Sequence, residues 1–594
     1  MDYQIIKSRL ESLRTLMRKS GISAAVIPHV DPHQSEYMSS HWHVREFFSG
    51  FNGSAGTLVV TLDGAALWTD SRYFLQAASQ LENTTIELMK DGLPSTPTIP
   101  SYIINVLHAG DTVGVDGMLF TKRSLDSLEG EFSGASISVK PDFRPADILW
   151  TDRPPLPSDP IYILPEQYAG EMSGSKIQRL REAVNGSGAE AVYITELDSI
   201  AWLLNLRGSD VDFNPVFTST LYIGPNSGVL FIDAAKVPDD VRTYLAGYRI
   251  DVMPYDSAAA YLSGSSLPVL ANPATLPAAL ARTPGINWIY APSPVPAMKA
   301  EKNDVELRNL RHAMVIEGAS MVNAIYHITE RLNRGETVTE LDVVDTLSHC
   351  RAAHASYRGD SFGTIAGYGA HGAIVHYEPT PESNATLRPE GLLLVDTGGQ
   401  YLHGTTDITR TISLGNPTDD ERHDFTLVLK GHIALARAVF PEGTRGAQLD
   451  VLARQYLWQE GKTYLHGTGH GVGFFLNVHE GPQSIRLQEN PVALRPGMVT
   501  SDEPGLYLSD RYGIRCENLV LTVGAGDTEH GRFLKFEVLS LFPFDRNLLD
   551  FSILTDDEIM WLNDYHRKVW SELADYLQGA PLQWLEQACA PISR

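Results

Sequence analysis

Residues 466–473 read His-Gly-Thr-Gly-His-Gly-Val-Gly. Four glycines in eight residues exclude a stable helix, since each interior glycine costs about 1 kcal/mol relative to alanine. Such backbone is free to approach a ligand closely, and it carries two imidazoles, His466 and His470. His479 follows, ahead of Glu480, Gly481 and Pro482. A lone histidine is ordinarily structural or solvent-facing. Three within fourteen residues, set among glycines, point to a site.

Other stretches supply carboxylates. Residues 392–396 are four apolar residues ending in Asp396, after which Thr397, Gly398 and Gly399 break the strand. The chain returns to Asp407, followed by Ile408, Thr409, Arg410 and Thr411. This predicts a long hairpin with Asp396 and Asp407 across from each other. Carboxylates that close repel unless a proton or a cation lies between them. Taken alone, the pair reads equally well as two turn aspartates. Glu503 ends a strand that Pro504 and Gly505 turn. In residues 513–518, a continuous strand places Arg515 and Glu517 on one face and Ile514 and Cys516 on the other. Glu517 is then either half of a bare ion pair or a metal ligand steadied by the arginine.

Together these stretches contribute four carboxylates (Asp396, Asp407, Glu503, Glu517) and one imidazole (His470). The set is rich in oxygen and poor in sulfur. It suits hard or borderline divalent ions such as manganese better than a thiolate-type zinc site. Four carboxylates call for more than one cation. Two ions about 3.5–4 Å apart, sharing a bridging water whose pKa falls to about 7, are the expectation.

The rest of the chain organises around this region. A length of 594 residues suggests about three or four domains. Proline-rich stretches at 153–157 and 292–296 mark the joints. The expected domains are 1–153, 154–297 and 298–594. The first opens with a helix carrying Ile5, Ile6, Leu10, Leu13 and Met17, then a strand at 24–27, and later strands at 57–61 and 65–69. The second repeats that order: a helix at 177–184, a strand at 191–195, a segment at 200–204, and strands at 219–223 and 228–232. An internal duplication of an α/β domain is therefore expected. The third begins with a charged helix over about 299–322. Its tail carries an apolar stripe (Ile559, Leu562, Tyr565, Val569) that serves either its own domain or a subunit contact.

Charge and cysteine content narrow the function classes. With 72 acidic and 47 basic residues the net charge is 47 − 72 = −25, which argues against nucleic acid or an anionic membrane as partner. The three cysteines form no CxxC pair, so no thiolate zinc site is indicated and a reducing compartment is expected. Neither a signal peptide nor a membrane-spanning run is visible, and a cytoplasmic location follows.

At the metal-ligand candidates the chain resembles the pita-bread metallopeptidases, the group of methionine aminopeptidase, prolidase and aminopeptidase P. The ligand order Asp, Asp, His, Glu, Glu is matched at Asp396, Asp407, His470, Glu503 and Glu517, and residues 372–377 and 465–473 match signature stretches. Likeness to the three-domain Xaa-Pro aminopeptidases extends over nearly the whole chain, through residues 51–56, 68–74, 164–166, 191–200, 202–207 and 561–566. The resemblance implies two creatinase-like α/β domains followed by a pita-bread catalytic domain. It implies release of the first residue from peptides whose second residue is proline, by a hydroxide bridging two ions, and a homodimer. Asp396 and Asp407 would chelate one ion, His470 and Glu503 the other, with Asp407 and Glu517 bridging. Glu503 would also be the general base, His376 and His466 would stabilise the oxyanion and contact substrate, His479 would face the proline side, and Arg515 would support the ligands. The substrate amine would bind near Asp396. Gly363 and Gly367 depart from the family's bulkier residues.

Three rival readings are open. A prolidase would share the ligands but lacks the extra N-terminal domain. A non-catalytic binding module on this fold would have lost ligands that are all present here, and the chain has no charged chromatin-type tail. A zinc triad of His466, His470 and His479 leaves the four carboxylates without a purpose.

Overall fold

The computed structural model describes residues 3–593, which fall into two compact units. One runs to Leu164 and from Glu171 to Val295; the other comprises Pro165–Gly170 and the chain from Pro296 onward.

The first unit contains two six-stranded sheets built alike. In space, one runs Glu87–Lys90, Ala65–Thr69, Thr57–Thr61, Ala24–Pro28, Thr112–Gly114, Ser138–Lys140. The other runs Ile250–Met253, Gly228–Phe231, Thr220–Ile223, Ala191–Ile194, Val269–Ala271, Trp288–Tyr290. Strand order and every parallel or antiparallel pairing coincide between them. The repeated pattern of helices and strands is thus a repeated topology. Alternate residues of the first sheet feed separate cores: Ala25, Ile27, Leu58 and Val60 one, Ala24, Val26, Val59 and Trp68 the other. Both faces are covered, as parallel-containing sheets require.

The second unit packs two long helix pairs against antiparallel sheets. One pair is Asp304–Asn333 with Glu340–Ala352, the other Asp419–Ala436 with Gly446–Gln459. The single helix expected over about 299–322 is two helices, Val295–Ala300 and Asp304–Asn333. Asn303 breaks it: its side chain accepts from the amides of Val305 and Glu306, and Glu306 returns to the Asn303 amide, a capping box that begins a new helix. A six-stranded sheet holds Asn518–Thr528, Val499–Asp502, Gly469–Gly471 and Glu480–Ile485 side by side, and Leu392–Thr397 lies between Ile365–Tyr368 and Ile408–Ser413 in a three-stranded one.

The tail helix Asp556–Leu573 buries Ile559, Leu562, Tyr565 and Val569 in the core of its own unit, so that stripe is not a subunit contact. Among the described residues no helix is long and apolar enough to cross a membrane. Cys350, Cys516 and Cys589 are all unpaired.

Candidate metal centre

The five residues expected to bind metal lie on or beside five different strands, and the fold brings them together. Ligand atoms of Asp407, His470 and Glu517 all lie within 4.8 Å of one another. His470 Nε2 is 3.5 Å from Asp407 Oδ2 and 3.4 Å from Glu503 Oε1. Asp396 senses the charge of Asp407, and Glu517 that of Asp407, Asp396 and Glu503.

Register explains how they meet, and it differs from the sequence expectation in two places. Asp396 pairs across the sheet with Thr409 rather than with Asp407, which precedes the strand Ile408–Ser413. The intervening residues do not form one hairpin: Gly399–Tyr401 pairs with Gly404–Thr405 in a separate small sheet, pulling the return out of register. Nor do Arg515 and Glu517 share a continuous strand. Tyr512–Arg515 ends at Arg515, Asn518–Thr528 begins after Glu517, and the Cys516 amide donates to Pro504 O at 3.2 Å in between. The Glu517 amide donates to Thr409 O at 3.2 Å, which delivers its carboxylate to the cluster. Glu503 sits one residue beyond Val499–Asp502, as the turn signal indicates.

The glycines of the histidine run serve the sheet. A Cβ on Gly469 would lie 1.9 Å from Ser501 O, and one on Gly471 2.2 Å from Glu480 O. They admit neighbouring backbone, so the expectation that they face a ligand is replaced by strand packing around His470. Gly367 likewise has no room for a Cβ, which would lie 2.7 Å from Gly372 N.

Electrostatics define what the centre can hold. Four carboxylates face two cationic groups, Arg515 and His470. Burial pushes Glu503 up to about 7, with His470 and Arg515 opposing. Glu517 is raised well above the carboxylate range, by burial and then by Asp407 and Asp396. Asp396 is raised by burial although Arg515 opposes it, and its Oδ1 is buried without a hydrogen-bond partner. Buried anions in such excess are stable only with protons or cations among them. His470 Nδ1 is 2.9 Å from Gly471 O; a carbonyl only accepts, so Nδ1 carries a hydrogen and Nε2 is the nitrogen turned to Asp407 and Glu503, its lone pair free for a cation once its proton is displaced. In the ion's absence those carboxylates raise His470 to about 9 against the effect of burial. An orphaned carboxylate oxygen, a presented imidazole lone pair and uncompensated charge together fit divalent cations.

The remaining candidates surround this cluster. Arg515 donates to Asp396 Oδ2 from Nη2 at 2.5 Å and from Nε at 3.1 Å. The His479 ring lies edge-on to that of His470, centres 4.4 Å apart. His466 Nδ1 is 3.9 Å from Glu503 Oε2, and its Nε2 is 2.8 Å from Tyr507 OH. His376 is half-buried and tied to the cluster through its neighbour Val375, whose carbonyl accepts from Arg515 Nη2 at 3.3 Å.

Two residues escaped the sequence reading. Thr409 Oγ1 donates to Glu517 Oε2 at 2.6 Å. Tyr507 OH accepts from Arg515 Nη1 at 2.7 Å, leaving its proton for His466. Thr409 stands two residues after Asp407 and Tyr507 four after Glu503, and only the fold shows that they point inward.

The chain matches known families over most of its length. The model for metallopeptidase family M24 matches residues 308–523, that for the C-terminal region of peptidase M24 matches 532–592, and two creatinase/prolidase N-terminal domain models match 9–144 and 152–306. A probable Xaa-Pro aminopeptidase P of Laccaria bicolor is 39% identical over 604 residues, spanning 98% of this chain and 93% of that protein. Aminopeptidase P2 of Arabidopsis thaliana is 39% identical across 99% of this chain and 89% of its own length. The crystal structure of X-prolyl aminopeptidase from Caenorhabditis elegans, described as a cytosolic enzyme with a di-nuclear active site, superposes with a TM-score of 0.95 at 34% identity, covering 99% of this chain and all of that one. An Xaa-Pro dipeptidase from Bacillus anthracis covers only 63% of this chain, with a TM-score of 0.52 at 23% identity, and shares the fold alone.

Proposed function

The chain belongs to metallopeptidase family M24, and on that premise we propose how it acts as an Xaa-Pro aminopeptidase: it hydrolyses the bond between the first residue and a following proline at a two-metal centre. The observation that carries this reading is the convergence of all five ligand candidates on one buried, charge-uncompensated cluster. Full-length similarity to aminopeptidases, including the N-terminal domains, favours it over a dipeptidase.

Asp396 and Asp407 would hold one ion, His470 and Glu503 the other, and Asp407 and Glu517 would bridge. The oxygen-rich donor set supports manganese. Bound ions of this kind supply Lewis acidity at the scissile carbonyl and a nucleophile at neutral pH. The protein's own groups do the rest. Glu503 Oε accepts the proton lost by the nucleophile and returns it to the leaving proline nitrogen, the role of a positioned carboxylate general base. Ser501 Oγ donates to Glu503 Oε1 at 3.0 Å and orients it. Arg515 holds Asp396 and Tyr507, and Tyr507 in turn steadies His466. His376 and His466 stabilise the developing oxyanion and contact substrate, His466 by releasing the Nδ1–H it gives to Gly467 O, while His479, edge-on to His470, faces the proline side. The substrate amine docks beside Asp396, which confines cleavage to N-termini.

The division into domains at 153/154 and 297/298, a homodimer and a cytoplasmic location complete the proposal. The cytosolic description of the nematode enzyme and the unpaired cysteines support the last.

The test is an assay of chelator-stripped protein reloaded with manganese, on a peptide beginning Arg-Pro-Pro and on the dipeptide Ala-Pro. Metal-dependent release of arginine from the longer peptide is expected. Cleavage of the dipeptide alone would make the chain a prolidase, and binding of metal without cleavage of either would make it a binding module.

A further inference from the structure

The chain between Asp396 and Asp407 is closed on itself. The Gly399 amide donates to Thr406 Oγ1 at 2.8 Å, and the Thr406 amide donates to Gly399 O at 3.0 Å. Gly398 has no room for a Cβ, which would stand 2.0 Å from Thr406 O. Thr397 directly follows one acid and Thr406 directly precedes the other. Both hydroxyls engage the same buried ion pair. Glu317, on the helix Asp304–Asn333, and Arg351, on the helix Glu340–Ala352, are 2% and 0% exposed. Arg351 Nη2 donates to Glu317 Oε1 at 2.8 Å and to Thr397 Oγ1 at 2.6 Å, while its Nη1 donates to Asp360 Oδ1 at 2.9 Å. Glu317 Oε2 accepts from Thr406 Oγ1 and from Tyr401 OH, each at 2.9 Å.

A buried ion pair returns little stability, because desolvation of the two charges offsets their attraction; well-packed apolar residues would serve the core at least as well. An ion pair can, however, do what an apolar pair cannot, which is to fix the direction of a hydroxyl. This one fixes two, and each belongs to a neighbour of an acid in the cluster. We propose that Glu317 and Arg351 are positioning residues: through Thr397 and Thr406 they set the spacing of Asp396 and Asp407, and with it the affinity of the centre for divalent metal. The inference rests on the reading of those two aspartates as ligands. Partners that orient metal ligands from behind typically account for 10–100-fold in affinity.

Removing Glu317 or Arg351 outright would strand a buried charge and destabilise the unit, so the threonine hydroxyls are the better handle. Thr397→Val and Thr406→Val delete the hydroxyl at nearly constant shape; Thr397→Ser and Thr406→Ser keep it. Affinity for Mn²⁺ is measured on the full chain by competition with a chelating dye, alongside the melting temperature of each metal-free protein. The valine variants are expected to bind Mn²⁺ about 10–100-fold more weakly and, each short of buried hydrogen bonds, to melt slightly lower without metal, while the serine variants bind and melt as wild type does. Wild-type affinity in the valine variants overturns the proposal. So does an equal loss in the serine variants, or a loss in the valine variants that comes with disappearance of the cooperative metal-free melting transition. Asp396→Asn is the control for the underlying reading: if it binds Mn²⁺ as wild type does, the ligand assignment fails, and that outcome is separate from the behaviour of the threonines.

Discussion

Glu503 combines two demands that are hard to meet at one carboxylate. It must be anionic enough to hold a cation, yet basic enough to carry a proton at neutral pH. In the metal-free protein burial raises it to about 7 while His470 and Arg515 pull the other way, and a bound cation favours the anion further. Glu503→Gln keeps the shape and removes the base, so kcat for a proline-second peptide is expected to fall by about 10²–10⁴, read by steady-state kinetics at saturating manganese. Arg515→Met removes the donors to Asp396 and Tyr507. Manganese affinity is then expected to drop by about 10–100-fold, read by competition with a chelating dye. At this scale the five ligand candidates were legible in the sequence, because a carboxylate at the end of an apolar run, or an imidazole among glycines, is a local pattern. Thr409, Tyr507, Glu317 and Arg351 were not. Their partners are brought to them by the fold, across 108 residues in the case of Thr409 and Glu517, and nothing local marks a threonine or a tyrosine as facing inward.

Elements set the register on which those residues depend. The strand Gly469–Gly471 lies so close to Val499–Asp502 that any side chain at residue 469 meets Ser501 O. Gly469→Ala is therefore expected to destabilise the chain by about 1–3 kcal/mol through overpacking and to lower metal affinity by displacing His470; denaturant melts and metal titration on one sample check both. Leu562, fully buried on the tail helix, packs into the core shared with the metal centre. Leu562→Ala is expected to cost about 2–5 kcal/mol, seen as a lower denaturation midpoint with unchanged manganese stoichiometry. Helices and strands of the N-terminal repeat were visible in apolar periodicity, and the pairing shows why: each strand alternates between two cores. The offset of Asp396 against Thr409 and the break at Cys516 and Glu517 were not, since a small side sheet and a backbone bond to Pro504 decide them.

For the whole molecule, the consequence of gathering four carboxylates is a fold whose stability depends on what neutralises them. In the metal-free protein Glu503 is raised from 4.5 to about 7, and Glu517 and Asp396 are raised as well. A carboxyl whose folded pKa exceeds its unfolded value contributes stability that is fully present below the unfolded pKa and is lost as pH rises through the folded one. Metal-free protein is thus expected to melt at progressively lower temperature as pH rises from about 5 to about 8, whereas manganese-loaded protein, with cations in place of protons, should hold its melting temperature over that window. Scanning calorimetry of both forms at several pH values checks the sign.

The central claim is that Asp396, Asp407, His470, Glu503 and Glu517 form a single centre for two ions. It is tested most directly by counting the ions. Calorimetric titration of manganese into chelator-treated protein is predicted to saturate at two ions per chain, as in the di-nuclear nematode structure, and Glu517→Gln, which removes the proposed bridge, is predicted to saturate at fewer and to lose peptide cleavage. Saturation of the native chain at one ion, or an undiminished pair of ions in the Glu517→Gln protein, would contradict it.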